Sequence, residues 1–455
     1  MEGVNGVHQY NNNFRDNSAS NYGGDIMCDD ANANFHDCNF TNSYSANNGG
    51  SIYWKGSNTL LYNLQFNNVT SKSYGGAITF ANCKNVTVKS SSFKKYRSGS
   101  GGAIYFMTPE CSVVECEFED GSATIGGAIY ATRDKITVKD SKFKNHTATG
   151  HGGVIYISGA DAVVDNCEFT DSSSSSNGGI IFISSSGPDS NISNSKFKSG
   201  HATCGGAIYV SARNVVISGN EFEFNTAALG GAVYLGSSLS GISVLDNNFK
   251  SNNATQSGGA LYSVSAFPEL SSNNYTKNSA NLNGGALWLR GSGALLNGER
   301  FIDNVAVSKG GAIIMDTGTF QLNNSYFRSN NASMGFAIFK GSSTIYINNP
   351  TFVYNQAASS LLSVYREGNN FEVIFSGFDN ILNAIWNNGD LSGIFIDGVN
   401  PVKGALMSNN GELLYEDMCE FDQIITATVL DRNGNVINKL TQKNQHLRCS
   451  LFYNR

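Results

Sequence analysis

One pattern recurs along most of the sequence at a nearly constant period, and this constrains the fold more than any other feature. Each copy opens with a glycine pair, an alanine and an aliphatic residue, and closes with phenylalanine and, three residues later, often asparagine. Self-similarity at a fixed period of 25 to 28 residues is typical of a solenoid, in which each copy forms one coil. The second glycine of the pair stands at Gly24, Gly50, Gly76, Gly102, Gly127, Gly153, Gly179, Gly206, Gly231, Gly259, Gly285 and Gly311.

The residues that follow each glycine pair predict a strand. Positions two and four after the pair are apolar, and this alternation places both on the inner face of a strand. A second alternating run precedes each phenylalanine, with Val or Ile five residues before it, as at Val88 and Ile217. The inner column of the first run is Ile26, Ile52, Ile78, Ile104, Ile129, Ile155, Ile181, Ile208, Val233, Leu261, Leu287, Ile313 and Ile338.

Two or three short strands per copy, joined by turns, predict one coil of a parallel β-helix. Helical and leucine-rich repeats are excluded, because the helical spacing of apolar residues is missing and Gly, Ser and Asn are too frequent. Each strand should pair with its equivalent in the next coil at about 4.8 Å. One coil cannot bury its own strand faces, so stability must come from stacked neighbours. The predicted class is all-β, a parallel β-helix solenoid.

Two further columns have a structural explanation. The aromatic residue of every copy predicts an internal stack along the coils. The asparagine three residues later can form an amide ladder that satisfies turn backbone groups. In the N-terminal half Ser43, Val69, Tyr96, Gly121 and His146 stand at that position, so the ladder should be broken there. The ladder positions are Asn225, Asn252, Asn278, Asn304, Asn330 and Asn355.

The alternation of Gly-Gly-Ala-Ile with Phe-x-x-Asn resembles the polymorphic outer-membrane protein repeat family. It is also similar to the β-helix regions of adhesin-like surface proteins. The resemblance covers about residues 10–355. It implies a right-handed parallel β-helix at a cell surface, with adhesion as its role.

Composition argues against a nucleic-acid partner. The chain of 455 residues has 36 acidic and 30 basic side chains, with a net charge of −6. It shows no basic stripe that would neutralise phosphates. Fifty Gly and five Pro fit a sheet protein rich in turns rather than a disordered linker.

The sequence predicts three regions. Residues 1–355 form regular coils, residues 356–418 form degenerate coils or a C-terminal cap, and residues 419–455 form part of an immunoglobulin-like β segment. In the last region Asp431–Asn435 is a turn signal between two strand patterns. No signal peptide, anchor or apolar membrane span is visible in the sequence. Because the resemblance implies a cell-surface location, we expect this chain to be a fragment of an extracellular or cell-surface protein.

Cysteines and histidines give no pattern of metal ligands. The nine Cys include no Cys-x-x-Cys pair, and Cys38, Cys116 and Cys167 all stand two residues before the phenylalanine. We interpret them as small residues of an internal stack rather than as disulfide or zinc ligands. His146 and His151, with His201, are expected to be solvated turn residues. No metal or cofactor is predicted.

Enzymes with a β-helix fold, such as pectate lyases and polygalacturonases, keep the catalytic alternative open. They need outward carboxylates at one column in adjacent coils, for acid–base hydrolysis or for binding Ca²⁺. We expect no such column in this sequence. No catalytic residue is therefore assigned.

An aromatic column indicates binding. It lies three residues after each glycine pair, and its alternation with the inner column places it on the outer face. Outward rings at steps of about 4.8 Å would form a platform for sugar rings. Alternatively, they would stack on each other and stiffen the sheet, or would be covered by a long turn. The candidate glycan-contact residues are Tyr105, Tyr130, Tyr156, Phe182, Tyr209, Tyr234, Tyr262 and Trp288, with Tyr53 and Phe339 in the same column.

The sequence therefore predicts a non-enzymatic, adhesin-like protein that attaches to host or neighbouring cells, with carbohydrate as the expected ligand. Two alternatives remain open at this point. One is a polysaccharide-active enzyme, and the other is a surface stalk without a specific ligand.

Overall fold

The computed structural model describes residues 7–29, 33–236, 240–265, 268–291, 293–348, 351–353 and 355, with seven short strands between 373 and 442. Every regular element among these residues is a β-strand. No helix in this part of the chain is long and apolar enough to cross a membrane. Contacts divide the chain into an N-terminal unit, Met1–Ser243, and a C-terminal unit, Val244–Arg455.

Each coil of the N-terminal unit has three principal strands. The first strands are Ile26–Cys28, Ile52–Trp54, Ile78–Phe80, Ile104–Phe106, Ile129–Ala131, Ile155–Ile157, Ile181–Ile183, Ile208–Val210 and Val233–Leu235. The second strands are Val7–Tyr10, Ala33–His36, Thr59–Tyr62, Val86–Lys89, Cys111–Val114, Ile136–Lys139, Val163–Asp165, Asn191–Ser193 and Val216–Ser218. The third strands are Asn13–Arg15, Asn39–Thr41, Gln65–Ser71, Ser92–Arg97, Glu117–Ala123, Lys142–Ala148, Glu168–Thr170, Lys196–Lys198 and Glu221–Glu223. Short additional strands are Ser18–Ala19, Tyr44–Ser45, Ser173–Ser174 and Thr226–Leu229.

The C-terminal unit repeats this plan. Its strands that follow a glycine pair are Leu261–Ser263, Leu287–Leu289 and Ile313–Asn323, and Ile338–Asn348 is equivalent. Its second strands are Glu269–Ser271 and Ala294–Asn297, and Ser243–Leu245 spans the boundary between the units. Its third strands are Asn248–Lys250, Asn274–Thr276, Arg300–Ile302, Tyr326–Arg328 and Thr351–Val353. Short strands are Asn253–Ser257, Ser279–Ala280 and Val305–Ala306.

Equivalent strands of successive coils pair in parallel and in register. Ile181 is aligned with Ile208, and Ile208 with Val233, so one column of the repeat becomes one row of the sheet. In the C-terminal unit Leu261 is aligned with Leu287 in the same way. The parallel β-helix prediction is confirmed, with coils about 26 residues apart.

The predicted inner columns form the core. Ile26 is 7% exposed, and the aliphatic residues equivalent to it, through Ile338, are fully buried. Phenylalanine rings of successive third strands stack in parallel. Their centroids are 4.5 Å apart for Phe93 and Phe118, and 4.8 Å apart for Phe301 and Phe327. The predicted aromatic stack is confirmed within each unit.

The glycine pair is required by backbone geometry. The first glycine of the pair has positive φ, +63° at Gly205, which an L side chain rarely adopts. A Cβ atom on the second glycine, Gly206, would lie 2.2 Å from the carbonyl oxygen of Gly231 in the next coil. The pair thus makes the turn and lets successive coils approach closely.

The asparagine column of the C-terminal unit forms a continuous ladder. The side-chain Nδ2 of Asn278 donates to Oδ1 of Asn304 at 3.0 Å, and Asn304 donates in the same way to Asn330. The same Oδ1 atoms accept the backbone N–H one coil earlier. Each Nδ2 also donates to a carbonyl at the aromatic stack, as Asn304 does to Tyr275 at 2.9 Å. The amides therefore satisfy the buried turn.

In the N-terminal unit the equivalent position holds a different cluster. The Tyr96 hydroxyl reaches across the Gly121 coil and hydrogen-bonds Nε2 of His146. A Cβ atom on Gly121 would lie 2.0 Å from the Tyr96 ring, so glycine leaves the space that this contact needs. Ser172 supplies Oγ to the backbone N–H of His146 at 3.3 Å.

The expectation that His146 is a solvated turn residue is wrong. Its side chain is fully buried, and burial lowers its pKa to about 3 because the imidazolium would lose its hydration. His146 is buried because the position three residues after Phe143 points into the coil. His151 is half-buried against the Phe182 ring, and His201 is exposed, with Nδ1 2.8 Å from Oγ1 of Thr226.

The column two residues before the phenylalanine is a second internal ladder. Cys38, Cys116 and Cys167 are buried there, and their thiols donate to backbone carbonyls. Burial raises the pKa of Cys116 and Cys167 to about 12, so these thiols stay protonated. The seven cysteines among the described residues form no disulfide bond, while Cys419 and Cys449 lie outside them. The interpretation as internal small residues fits this arrangement.

In the C-terminal unit the same column carries a buried acid. Asn247 and Asn273 continue the ladder, and Asn273 Nδ2 lies 3.1 Å from Oε1 of Glu299. Glu299 is fully buried. Desolvation raises the pKa of Glu299 to about 8, against hydrogen bonds that favour its ionised form. The carboxyl group is therefore protonated at neutral pH.

Beyond residue 355 the described residues are strands alone. Ile385–Trp386 and Ile394–Asp397 pair in parallel with Ile338–Asn348. Ile425–Leu430 pairs antiparallel with Val436–Gln442, as the hairpin signal predicts, and the turn between them lies outside the described residues. The remaining strands, Val373–Ile374, Ala405–Met407 and Leu413–Glu416, join the hairpin in an antiparallel sheet. The immunoglobulin-like segment at residues 419–455 stays a prediction.

Candidate functional site: an outward aromatic column

The predicted aromatic column lies on the outer side of the first strands. The residues before and after each ring along its strand are buried, and the rings themselves are buried or half-buried. In Ile208–Val210, for example, the first and last residues are buried and Tyr209 between them is half-buried. Exposure falls to 8% at Phe182 and to 7% at Tyr105 and Trp288. The half-buried members are Tyr130, Tyr156, Tyr209, Tyr234 and Tyr262.

Five members follow one another on consecutive coils of the N-terminal unit, and we call them the aromatic strip. Parallel register aligns each ring with the next, so ring contacts arise without any long-range loop. Centroids of adjacent rings are 4.8 to 5.1 Å apart. The strip consists of Tyr130, Tyr156, Phe182, Tyr209 and Tyr234.

Ring orientation changes along the strip. Tyr209 and Tyr234 stack with an interplanar angle of 3°, so their faces contact each other and their edges point outward. Tyr130 is turned, at 80° to Tyr156 and 47° to Tyr105. Burial and the adjacent phenols raise the pKa of Tyr130 to about 12, so it stays a neutral hydroxyl. The strip thus presents ring edges, phenolic hydroxyls and one turned ring.

Part of the column is covered by residues that precede the glycine pairs. Tyr22 stacks on Tyr53 with centroids 4.6 Å apart, and Tyr74 stacks on Tyr105 at 4.5 Å. His151 covers Phe182 at 4.7 Å. These contacts join residues 31 positions apart, one coil plus five residues, as in Tyr22 and Tyr53. Coverage by a turn is one of the alternatives that the sequence leaves open, but the sequence columns do not reveal this offset or which rings are covered.

The border of the aromatic strip is polar but uncharged on the side that continues each strand. A row of hydroxyl residues lies two positions after the rings, and all of them are half-buried. The row consists of Thr132, Ser158, Ser184 and Ser211.

The C-terminal unit gives the same column a charged border. Tyr262 and Trp288 stack with centroids 4.2 Å apart. The Arg290 guanidinium lies 5.0 Å from the Trp288 ring and pairs with Asp316 at 2.8 Å. These rings are held in a cation–π and ion-pair cluster.

Outward acids do recur in adjacent coils, which corrects the expectation from sequence. The left-handed turn residues Glu115 and Asp140 occupy one column, and so do Asp161 and Asp189. They were overlooked because these acids lie in turns rather than on strand faces. Glu115 accepts a hydrogen bond from Ser90 and pairs with Lys89 at 3.4 Å.

No group of three or more His, Cys, Asp or Glu residues in the described ranges could hold a metal ion. The carboxylates on the outer surface instead face cations of neighbouring coils. Lys139 pairs with Asp165 at 3.1 Å, and Lys94 with Glu119 at 2.8 Å. Such exposed pairs between adjacent strands are typical of a solvated β-sheet surface.

A family model supports the class of fold. The model described as "Right handed beta helix region" matches residues 126–301. The chain is thus a right-handed parallel β-helix. Among curated proteins none matches this sequence.

Solved structures with similar folds include two kinds of protein. A tailspike protein mutant of E. coli bacteriophage HK620, in complex with a pentasaccharide, is 9% identical with a TM-score of 0.47, covering 95% of this chain and 82% of that one. A mannuronic acid specific polysaccharide family 6 lyase from human gut microbiota is 11% identical with a TM-score of 0.43, covering 70% of this chain and 81% of that one.

Proposed function

We propose that this protein is a non-enzymatic, adhesin-like β-helix that works outside the cell and attaches to glycans through the aromatic strip. The repeat family that the Gly-Gly-Ala-Ile and Phe-x-x-Asn motifs resemble implies the cell surface. The strip gives the proposal its binding site, and a carbohydrate on a host or neighbouring cell is the partner.

One observation carries the proposal. Five consecutive coils present aromatic rings on the outer face, four of them half-buried and Phe182 buried, and four of these coils place a hydroxyl side chain beside the ring, with no charged residue in either row. Tyrosine offers a large, rigid contact area with an apolar body and a polar tip. A neutral sugar has the same mixture of C–H faces and hydroxyl groups. The strip therefore matches an uncharged glycan better than a polyanion such as nucleic acid.

The strip is also ordered before any ligand arrives. Tyr130, Tyr156 and Tyr209 are each held between rings of adjacent coils at about 5 Å, and aromatic residues have few rotatable bonds. Binding would therefore lose little side-chain entropy. The fixed positions of the rings therefore favour a role of the aromatic strip as a binding surface.

A triple variant tests the proposal. In Tyr130→Ser, Tyr156→Ser and Tyr209→Ser, we expect binding to a panel of neutral polysaccharides to weaken at least tenfold. The melting temperature should also fall, because each cross-strand aromatic pair contributes about 0.2 to 1 kcal/mol. Tyr44→Ser is the matched control, since Tyr44 is 43% exposed and outside the column. A lower melting temperature with unchanged binding would show that the rings only stiffen the sheet.

A second measurement separates binding from catalysis. The chain is incubated with the same polysaccharides in the presence of Ca²⁺, and new reducing or unsaturated ends are counted. We expect none above the level of a heat-denatured sample. Release of ends by the purified chain would overturn the non-enzymatic part of the proposal and leave the glycan site intact.

A further inference from the structure

The first three coils carry a second aromatic row, on the outer face of the second strands. We propose that this row and the amide side chains beside it form a separate contact site for a neutral polysaccharide. The row consists of Tyr10, His36 and Tyr62, which are aligned in the parallel register of the sheet. It lies on other strands than the aromatic strip and does not depend on it.

The rings of this row are more open than those of the aromatic strip. Tyr10 is 55% exposed and Tyr62 is 38% exposed, and His36 between them is half-buried. The Tyr10 and His36 centroids are 5.3 Å apart at an angle of 19°. Tyr62 is tilted by 59° from His36 at 5.7 Å, so part of its face is open.

Two rows of short polar side chains run beside the rings. At the turn, Asn63 Nδ2 donates to Oδ1 of Asp37 at 2.5 Å, and both residues are in left-handed conformation. At the start of the third strands, Asn39 Nδ2 donates to Oδ1 of Asn13 at 2.7 Å, and Gln65 is aligned with Asn39. The third-strand row therefore has one amide per coil, and the turn row places Asn63 beside the carboxylate of Asp37.

The chemistry of the ring column changes after the third coil. Tyr62 is aligned with Lys89, and Lys89 pairs with Glu115. Further along the same column, Lys139 pairs with Asp165. Val114 lies between Lys89 and Lys139 in this column, so beyond the third coil the column holds lysine, valine and aspartate, and the aromatic side chains are confined to the first three coils.

The residues of these rows select the ligand. Neither the ring row nor the amide and turn rows contain lysine or arginine, and Asp37 would repel an anion. Each amide both donates and accepts hydrogen bonds, as the hydroxyl pairs of a sugar require. Aromatic bodies supply contact for sugar C–H groups. A neutral glycan chain that follows the coil axis would meet one ring and one third-strand amide per coil, with Asp37 and Asn63 beside them at the turn.

Tyrosine modification on the full chain tests this site without any mutation. N-acetylimidazole should modify Tyr10, Tyr62 and the control Tyr44, and peptide mass spectrometry reads each position. We expect neutral oligosaccharides of glucose, galactose or mannose to protect Tyr10 and Tyr62 at least threefold and to leave Tyr44 unchanged. Equal modification of all three with a bound oligosaccharide present would overturn the site.

Variants separate this site from the proposed function. Tyr62→Ala should weaken oligosaccharide binding at least fivefold with an unchanged melting temperature, whereas Tyr62→Phe and Tyr44→Ala should bind normally. If binding depends on Tyr130 and Tyr156 but not on Tyr62, the aromatic strip stands and this inference fails. If binding depends on Tyr62 but not on Tyr130 and Tyr156, this inference stands and the proposed role of the aromatic strip fails. A chain that binds no oligosaccharide at all overturns both.

Discussion

The two units fill the same internal position, three residues after the stacked aromatic ring, in different ways. The C-terminal unit uses one residue type, and Asn278, Asn304 and Asn330 bond each other through identical contacts. In the N-terminal unit Tyr96 and His146 bridge two coils across Gly121. The coil needs a polar group at this turn, yet either a repeated amide or a specific pair can supply it.

The difference predicts where single substitutions matter most. In a ladder each side chain serves its own coil and both neighbours, so one loss leaves several buried groups without partners. In the Tyr96–His146 cluster each contact is local. Damage in the C-terminal unit should therefore be larger per residue and spread over more coils.

Asn304→Ala should give the largest effect. The change removes the acceptor of the Asn278 backbone N–H and of one Asn278 Nδ2 hydrogen, and it removes the side-chain donor to the Tyr275 carbonyl. Each unsatisfied buried group costs about 1 to 3 kcal/mol. The free energy that protects the backbone amides of these coils from hydrogen exchange should therefore fall by about 3 to 6 kcal/mol. Hydrogen exchange with mass spectrometry measures this coil by coil.

The control for that variant is Ser172→Ala, at the same position in the N-terminal unit. It removes one acceptor for the His146 N–H and one donor to the Thr170 carbonyl. The expected loss is about 1 kcal/mol, confined to adjacent coils. Equal losses for Asn304→Ala and Ser172→Ala would contradict the contrast between a shared ladder and local contacts.

Glu299→Gln should change how stability depends on pH. In the unfolded chain Glu299 ionises near its ordinary pKa of 4.5, whereas in the fold its pKa is about 8. Between these values the folded state retains a proton that the unfolded state has released. Stability therefore falls with rising pH by up to about 1.4 kcal/mol per pH unit, and the loss levels off above the folded pKa.

The glutamine variant removes this titration and keeps an amide in the ladder. It should match the wild type at pH 4 and gain relative stability as the pH rises toward 8. Urea unfolding of both proteins across this range provides the measurement. Parallel pH curves for the two proteins would show that Glu299 is ionised in the fold.

Tyr96→Phe tests the N-terminal cluster and should have a smaller effect. It leaves Nε2 of buried His146 without its hydroxyl partner, at a loss of about 1 to 3 kcal/mol. Replacing both partners, in Tyr96→Phe with His146→Phe, should recover part of that loss because no polar atom of the pair then remains buried. Thermal unfolding of the single and double variants decides. A double variant as damaged as the sum of its parts would show that shape, not hydrogen bonding, matters here.

The fold could be predicted from sequence because its determinants are periodic. The position of Ile208 or Phe222 in the repeat specifies which neighbour it meets, since the next coil repeats the same residue. The same logic would have revealed the ladder two residues before the phenylalanine, where Asn220, Asn247 and Asn273 recur.

The site was less predictable because it depends on contacts between residues at different positions of the repeat. Phe182 is outward by periodicity, yet His151, from a turn one coil earlier, covers it. His146 stands in a column whose residue type changes from coil to coil, and only the space above Gly121 explains how its ring contacts Tyr96 inside. The ring row of Tyr10, His36 and Tyr62 mixes residue types and so shows no repeat.

The close approach at the glycine pairs has a consequence for how such a chain can change in length. The contact between Gly206 and the Gly231 carbonyl is made again between Gly285 and Gly311, with the same atoms 2.1 Å apart after addition of a Cβ. Each coil therefore contacts the next coil through the same glycine and carbonyl groups through which it contacts the previous one. A duplication or deletion of one whole coil preserves this glycine contact, so genetic recombination between copies can lengthen or shorten the protein while the close approach of successive coils is kept.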